Sequence, residues 1–150
     1  MLNANRTIKE ILETIRQAEK AGDYNLLNQR LLKKRLSWYK ENKEQLILEG
    51  SDVKKAYTLL LFEYLKIHPE EVPIVYEDEK KIVWRSYNWC PVLEACKMGG
   101  FDTREICKKG WEQSVQELIK NINQNLRFTR NYKKIRPHAE YCEEIIKLVE

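Results

Sequence analysis

The hydrophobic period of this chain changes near Pro73, and that change limits the fold more than any other feature. Before it, apolar residues recur at the spacing of helices; after it come short β-branched and aromatic runs with the spacing of strands. The spacing predicts three helices in the first half. Thr7 and Glu10 stand three apart like a capping box, ahead of Ile11, Leu12 and Ile15, and Gly22 marks the end of that helix. Asp23 is placed to cap a second helix, whose stripe of Leu27, Leu31, Leu32, Leu36 and Trp38 or Tyr39 runs through a basic surface of Lys33, Lys34 and Arg35 towards Gly50. Ser51 and Asp52 open a third, with Val53, Ala56, Tyr57, Leu60, Leu61, Tyr64 and Leu65 on one face. His68-Pro69 closes it, because the residue before proline disfavours the helical region.

Beyond Pro73, Ile74-Val75-Tyr76 and Ile82-Val83-Trp84 flank the charged run Glu77-Asp78-Glu79-Lys80 and predict a hairpin. A short helix follows Cys90-Pro91 and ends at Gly99-Gly100. Asp102-Thr103-Arg104-Glu105 reads as a second capping box, opening a helix that carries Cys107. Trp111, Val115, Leu118, Ile119 and Ile122 predict a further helix, the alternation in Leu126-Arg127-Phe128-Thr129-Arg130 predicts a half-buried strand, and residues 139–149 are expected to form a last short helix. The expected fold class is therefore α+β, with N-terminal helices packed on a small antiparallel sheet and C-terminal helices. With 150 residues, 43% of them hydrophobic, the chain has enough material for one core. One domain over 1–150 is expected, with a helical subdomain over 1–70 and a cysteine-containing α+β part over 71–150.

Neither a signal-peptide run nor an apolar stretch of about 18 residues is evident, so the expected setting is cytoplasmic, without membrane partners. There thiols stay reduced, and cysteines serve as ligands, catalysts or apolar filler. All four, Cys90, Cys96, Cys107 and Cys142, lie in the last part of the chain. Their spacings, C-x5-C, C-x10-C and C-x34-C, lack the close pairs of a zinc knuckle. An iron-sulfur cluster is less demanding, since it accepts ligands one at a time from separate elements. Cys90 precedes Pro91 at a helix start, near the positive end of the dipole, which suits a ligand and a nucleophile equally. Cys90 and Cys96 point some 120° apart within one regular helix, at about 100° per residue, so they converge only if Cys90 stands outside it. Cys107, Cys142 and the substitute ligand His138 would complete the set.

Between Glu117 and Glu140 there are six basic residues, Lys120, Arg127, Arg130, Lys133, Lys134 and Arg136, and no acid. Such a run serves as a solvated face, as a site for a small anion held by Arg127 or Arg130, or, with Phe128 and Tyr132 interleaved, as a nucleic-acid surface. No RNA-binding or helix-turn-helix signature supports the last of these. Trp84, Tyr87 and Trp89, crowded before Cys90, could wall a pocket or fill the core.

The run Tyr87-Asn88-Trp89-Cys90-Pro91-Val92-Leu93-Glu94-Ala95, followed by Cys107, Leu126–Arg130 and Cys142, resembles the L-2-amino-thiazoline-4-carboxylic acid hydrolase-like family over about residues 87–150. The resemblance rests on the Cys-Pro-x-x-Glu-Ala start and the late cysteine. It implies a small α+β domain with a ligand pocket and a named activity of hydrolytic ring opening, and it transfers no catalytic role. The helical first half and Cys96 have no counterpart in that pattern.

Three functions follow. The first is a cysteine-held centre on Cys90, Cys96, Cys107 and Cys142, iron-sulfur before zinc, for electron transfer, sensing or ligand binding. The second is a metal-free hydrolase of a small sulfur- or nitrogen-containing acid, with Cys90 as nucleophile, Glu94 as proton carrier and Arg127 or Arg130 on the carboxylate. The third is a non-enzymatic interaction module using the basic strand and the basic second helix.

Overall fold

A computed structural model describes residues 2–150. The apolar stripe of Ile8, Leu12, Ile15 and Ala18 lies on one face of α1 (Leu2–Ala21), which begins well before Thr7. The capping box expected at Thr7 and Glu10 therefore falls inside the helix. Thr7 donates back to the Asn3 carbonyl at 2.8 Å, and Glu10 pairs with Arg6 one turn earlier. Gly22 leaves the helix at φ +72°, a conformation that side chains rarely adopt. Tyr24 then takes the cap position of α2 (Asn25–Asn42), while Asp23 Oδ1 accepts the Asn25 amide at 2.7 Å. This helix stops short of Gly50, in a single 3-10 turn at Lys43–Gln45.

Ser51 caps α3 (Asp52–Thr58) by accepting the Lys54 amide, as its position predicts. The helix then widens into a π turn over Leu59–Tyr64, where the Leu65 amide donates to Leu60 O at 3.0 Å. Such widening recurs at functional sites. Here it accompanies the burial of three consecutive leucines, Leu59, Leu60 and Leu61, which a helix buries only when it has neighbours on two sides.

The predicted hairpin forms from β1 (Ile74–Glu77) and β2 (Lys81–Ser86), and the predicted strand Leu126–Arg130 is β3. Residues 139–149 are not a helix. They contribute β4 (Cys142–Leu148), which pairs with β2 and β3 and completes a four-stranded antiparallel sheet in the order β1-β2-β4-β3. Cys142, Ile146 and Val149 have helical spacing, but the inward set is Cys142, Glu144, Ile146 and Leu148. The buried glutamate hides its period of two. Between β2 and β3 come α4 (Pro91–Gly99), with Cys90 as N-cap and Gly100 as C-cap; α5 (Thr103–Gly110), capped by Asp102; and α6 (Glu112–Ile119). The α+β class stands. No helix among the described residues is long and apolar enough to cross a membrane.

Two cores result. In one, Tyr57, Leu59, Leu118, Ile119 and Val115 pack on Ile82, Trp84, Leu126, Phe128 and Ile146, which joins α3 and α6 to the sheet. In the other, Ile8, Leu12 and Ile15 of α1 meet Val92, Ala95, Cys96 and Ile106 of α4 and α5. Close approach of α1 to α4 depends on Gly99, where a Cβ would lie 2.5 Å from Leu12. Burying each large aliphatic side chain contributes about 1.5–3 kcal/mol.

Candidate functional site

A cavity of about 650 Å³ lies between the two cores, within the roughly 300–1,000 Å³ of small-molecule sites. Its walls are largely apolar. Ile11, Leu31, Leu60, Leu61, Tyr64 and Trp111 come from α1, α2, the π turn and the start of α6, and Trp89 and Val92 come from the segment around Cys90. Its floor is the polar end of the sheet. Strand register sets side chains of the inner face in rows: Leu126 with Leu148, then Ile82, Ile146 and Phe128, then Trp84, Glu144 and Arg130, then Ser86 and Cys142. The first two rows belong to the core, whereas Glu144, Arg130, Ser86 and Cys142 line the cavity.

These floor residues form a network. Trp84 Nε1 donates to Ser86 Oγ at 3.2 Å, and that hydroxyl donates to Glu144 Oε1 at 2.7 Å. Glu144 Oε2 lies 3.8 Å from Arg130 Nε. Burial works most strongly against charge on Arg130, yet Glu144, with further support from Cys107 and Tyr132, holds the guanidinium above its ordinary pKa. Arg130 Nη1 is nevertheless buried without a hydrogen-bond partner among the described residues.

Arg35 is the most unusual member. It projects from α2 with 6% of its surface exposed, and both Nε and Nη1 are buried without a partner among the described residues. The Tyr64 ring lies 5.3 Å beneath it. Burial, with a further contribution from Arg130, lowers its pKa to about 10, so it stays charged at neutral pH. A buried charge without a partner costs several kcal/mol. Arg136, a third guanidinium on the wall, is better satisfied. Its Nη1 donates to Asn88 O at 2.7 Å, and its Nε and backbone N–H point at Cys142 Sγ at 3.4 and 3.5 Å. Three guanidiniums thus face one carboxylate, an excess of two positive charges; the rim residues Lys34 and Glu10 cancel.

The predicted site residues divide on this geometry. Cys90, Cys107 and Cys142 reach the cavity wall, but Cys96 is packed into the second core, away from it. Among the described residues, no group of three His, Cys, Asp or Glu side chains is arranged to hold a metal ion. Burial pushes the Cys107 thiol up to about 12, and Cys96 likewise. It also raises Cys90, whose sulfur gains some support for charge from the Leu93 and Val92 amides without making a capping hydrogen bond. Glu94 pairs with Lys97 on the surface of α4, and His138 lies 3.4 Å from Asp102; neither faces the cavity. Arg130 lines it, whereas Arg127 points outward and donates to the carbonyls of Gln124 and Leu126. Trp84 is core, and Trp89 is half-exposed at the wall.

Sequence reading missed Arg35, Ser86 and Glu144. Arg35 adjoins the solvated Lys33 and Lys34 in sequence, yet it stands four residues after Leu31 and eight after Leu27, on the apolar stripe itself. Glu144 was hidden by the helical reading of its strand. No protein-family model matches the chain, and no curated protein or solved structure matches it either.

Proposed function

We propose that the protein binds a small amphipathic organic anion, a carboxylate in the first instance, in the cavity between its two cores. The observation that carries this reading is Arg35, a nine-tenths-buried guanidinium with two N–H-bearing nitrogens unpartnered on the wall of a largely apolar cavity. An entering carboxylate would meet Arg35 and the free Nη1 of Arg130, while its apolar body lay against Leu31, Leu60, Leu61 and Trp111. The thiazoline-carboxylate hydrolase-like resemblance points to the same class of ligand, a small organic acid.

The test compares octanoate with 1-octanol, which has the same chain and no charge. Octanoate should raise the melting temperature in a saturable manner and octanol should not, and Arg35→Met should abolish the octanoate effect. Equal shifts with both ligands, or an unchanged shift in Arg35→Met, would overturn the proposal.

A cysteine-held iron-sulfur or zinc centre is the second reading. In its favour, three sulfurs line one cavity; against it, among the described residues they belong to no group of three side chains arranged to hold a metal ion. Iron, zinc and sulfide analysis of protein purified without oxygen decides between the two readings, because stoichiometric iron and sulfide require a cluster.

A further inference from the structure

Resting on the anion-binding reading, we infer that Cys142 is a nucleophile that adds to an electrophilic carbon of the bound organic acid. Three cysteines line the cavity, and their surroundings differ. Cys90 and Cys107 pack against the second hydrophobic core, where burial favours the neutral thiol. Cys142 belongs to neither core. Two N–H groups converge on its sulfur, the Arg136 guanidinium at 3.4 Å and the Arg136 amide at 3.5 Å. The sulfur is thereby held as an acceptor beside a guanidinium on the cavity wall, in a fixed position from which it can attack a bound carbon.

The same loop fixes that cation. Arg136 is anchored by its Nη1 bond to Asn88 O, and its carbonyl accepts from Thr103 Oγ1 at 2.6 Å. Ser86 stands directly across from Cys142 in the β2–β4 register and donates a hydrogen bond to Glu144 Oε1. The sulfur, an anion site and a hydroxyl–carboxylate pair therefore share one cavity. The reaction they fit is addition of the thiol across an activated double bond of an unsaturated acid. The S–H bond and the π bond break, an S–C bond forms, and the thiol proton ends on the neighbouring atom of the acceptor. No oxidant or reductant is needed.

Iodoacetate and iodoacetamide test this, since both alkylate sulfur with loss of iodide and only the first is an anion. At equal concentration and neutral pH, iodoacetate should modify Cys142 roughly tenfold faster than iodoacetamide, as expected when a charged cavity concentrates its counter-ion. Peptide mapping by mass spectrometry identifies the site, octanoate should protect it, and Arg35→Met should remove the preference. Modification of Cys90 or Cys107 ahead of Cys142, or no preference for iodoacetate at Cys142 while octanoate still binds, would overturn the nucleophile and leave the binding reading intact. Loss of octanoate binding as well would remove both. The wild-type measurement stands alone if Arg35→Met fails to fold.

Discussion

The two ends of the sheet's inner face are built on the same antiparallel strands, and they do opposite things. At one end Leu126, Leu148, Ile82, Ile146 and Phe128 meet α3 and α6 in a filled core. At the other, further along the same strands, Glu144, Arg130, Ser86 and Cys142 meet a cavity under Arg35. The first arrangement stabilises by removing apolar surface from water. The second leaves buried N–H groups without partners, a net cost to the empty protein. A fold carries such a cost where binding offsets it, so under the proposed function one end of the sheet serves stability and the other recognition.

The largest expected effect is at the filled end. Ile146→Ala removes a fully buried side chain from the central strand and should cost about 2–5 kcal/mol in denaturant unfolding, with octanoate affinity changed little. If the variant loses binding while keeping its stability, the division of labour fails. Next comes Glu144→Gln. The amide oxygen can still accept from Ser86, but the charge that compensates Arg130 is gone, and stability should fall by about 3 kcal/mol. Octanoate should then bind more tightly, since the cavity gains one net positive charge. Weaker binding would show that Glu144 holds the ligand rather than opposing it.

These two strands also show what the sequence displays and what it conceals. Leu126 to Arg130 alternates without interruption, so its extent was readable, and the same alternation places Arg130 with Leu126 and Phe128 on the inward face and Arg127 outside. The N-terminal helices were readable from their stripes, although Thr7 and Glu10 resembled a cap and proved to be interior positions. β4 was obscured because one of its inward residues, Glu144, is charged, and a period defined by hydrophobicity fails where a site interrupts the core. Arg35 was obscured for the same reason, being an arginine at the end of a leucine stripe. The cavity itself depends on the π turn and on the meeting of two cores, which no local pattern encodes.

Arg35→Met sharpens the comparison by reversing the usual sign of a site mutation. Methionine fits among Leu31, Leu60 and Tyr64 without carrying a charge into the interior, so the ligand-free variant should be more stable than wild type by about 1–2 kcal/mol, read from the denaturation midpoint. It should also fail to bind octanoate. Protonation gives a milder version of the same change. The Arg35 pKa is lowered to about 10 from an ordinary 12.5, so in that window the unfolded chain binds more protons than the folded one. The contribution of Arg35 to stability, taken as wild type minus Arg35→Met, should therefore rise as pH increases through about 10. Octanoate binding needs the charged form and should weaken by up to roughly tenfold per unit above that point. Binding that persists unchanged at pH 11 in wild type and also survives Arg35→Met would exclude Arg35 as its cation.

The smallest effect belongs to Arg127, and it tests whether basicity or placement matters. Arg127 and Arg130 lie on one strand, three residues apart, with the same charge. Arg127 faces outward and spends its Nη1 on the carbonyls of Gln124 and Leu126, 2.8 and 2.9 Å away. Exposed substitutions of this kind stay within about 0.5 kcal/mol. Arg127→Ala should therefore leave stability and octanoate affinity nearly unchanged, with at most a slight loss at low salt, where the long-range field of the surface is least screened. A loss comparable to that of Arg35→Met would mean that the anion sits on the outer face of the sheet. The unpartnered nitrogens of Arg35 and Arg130 would then need a different explanation.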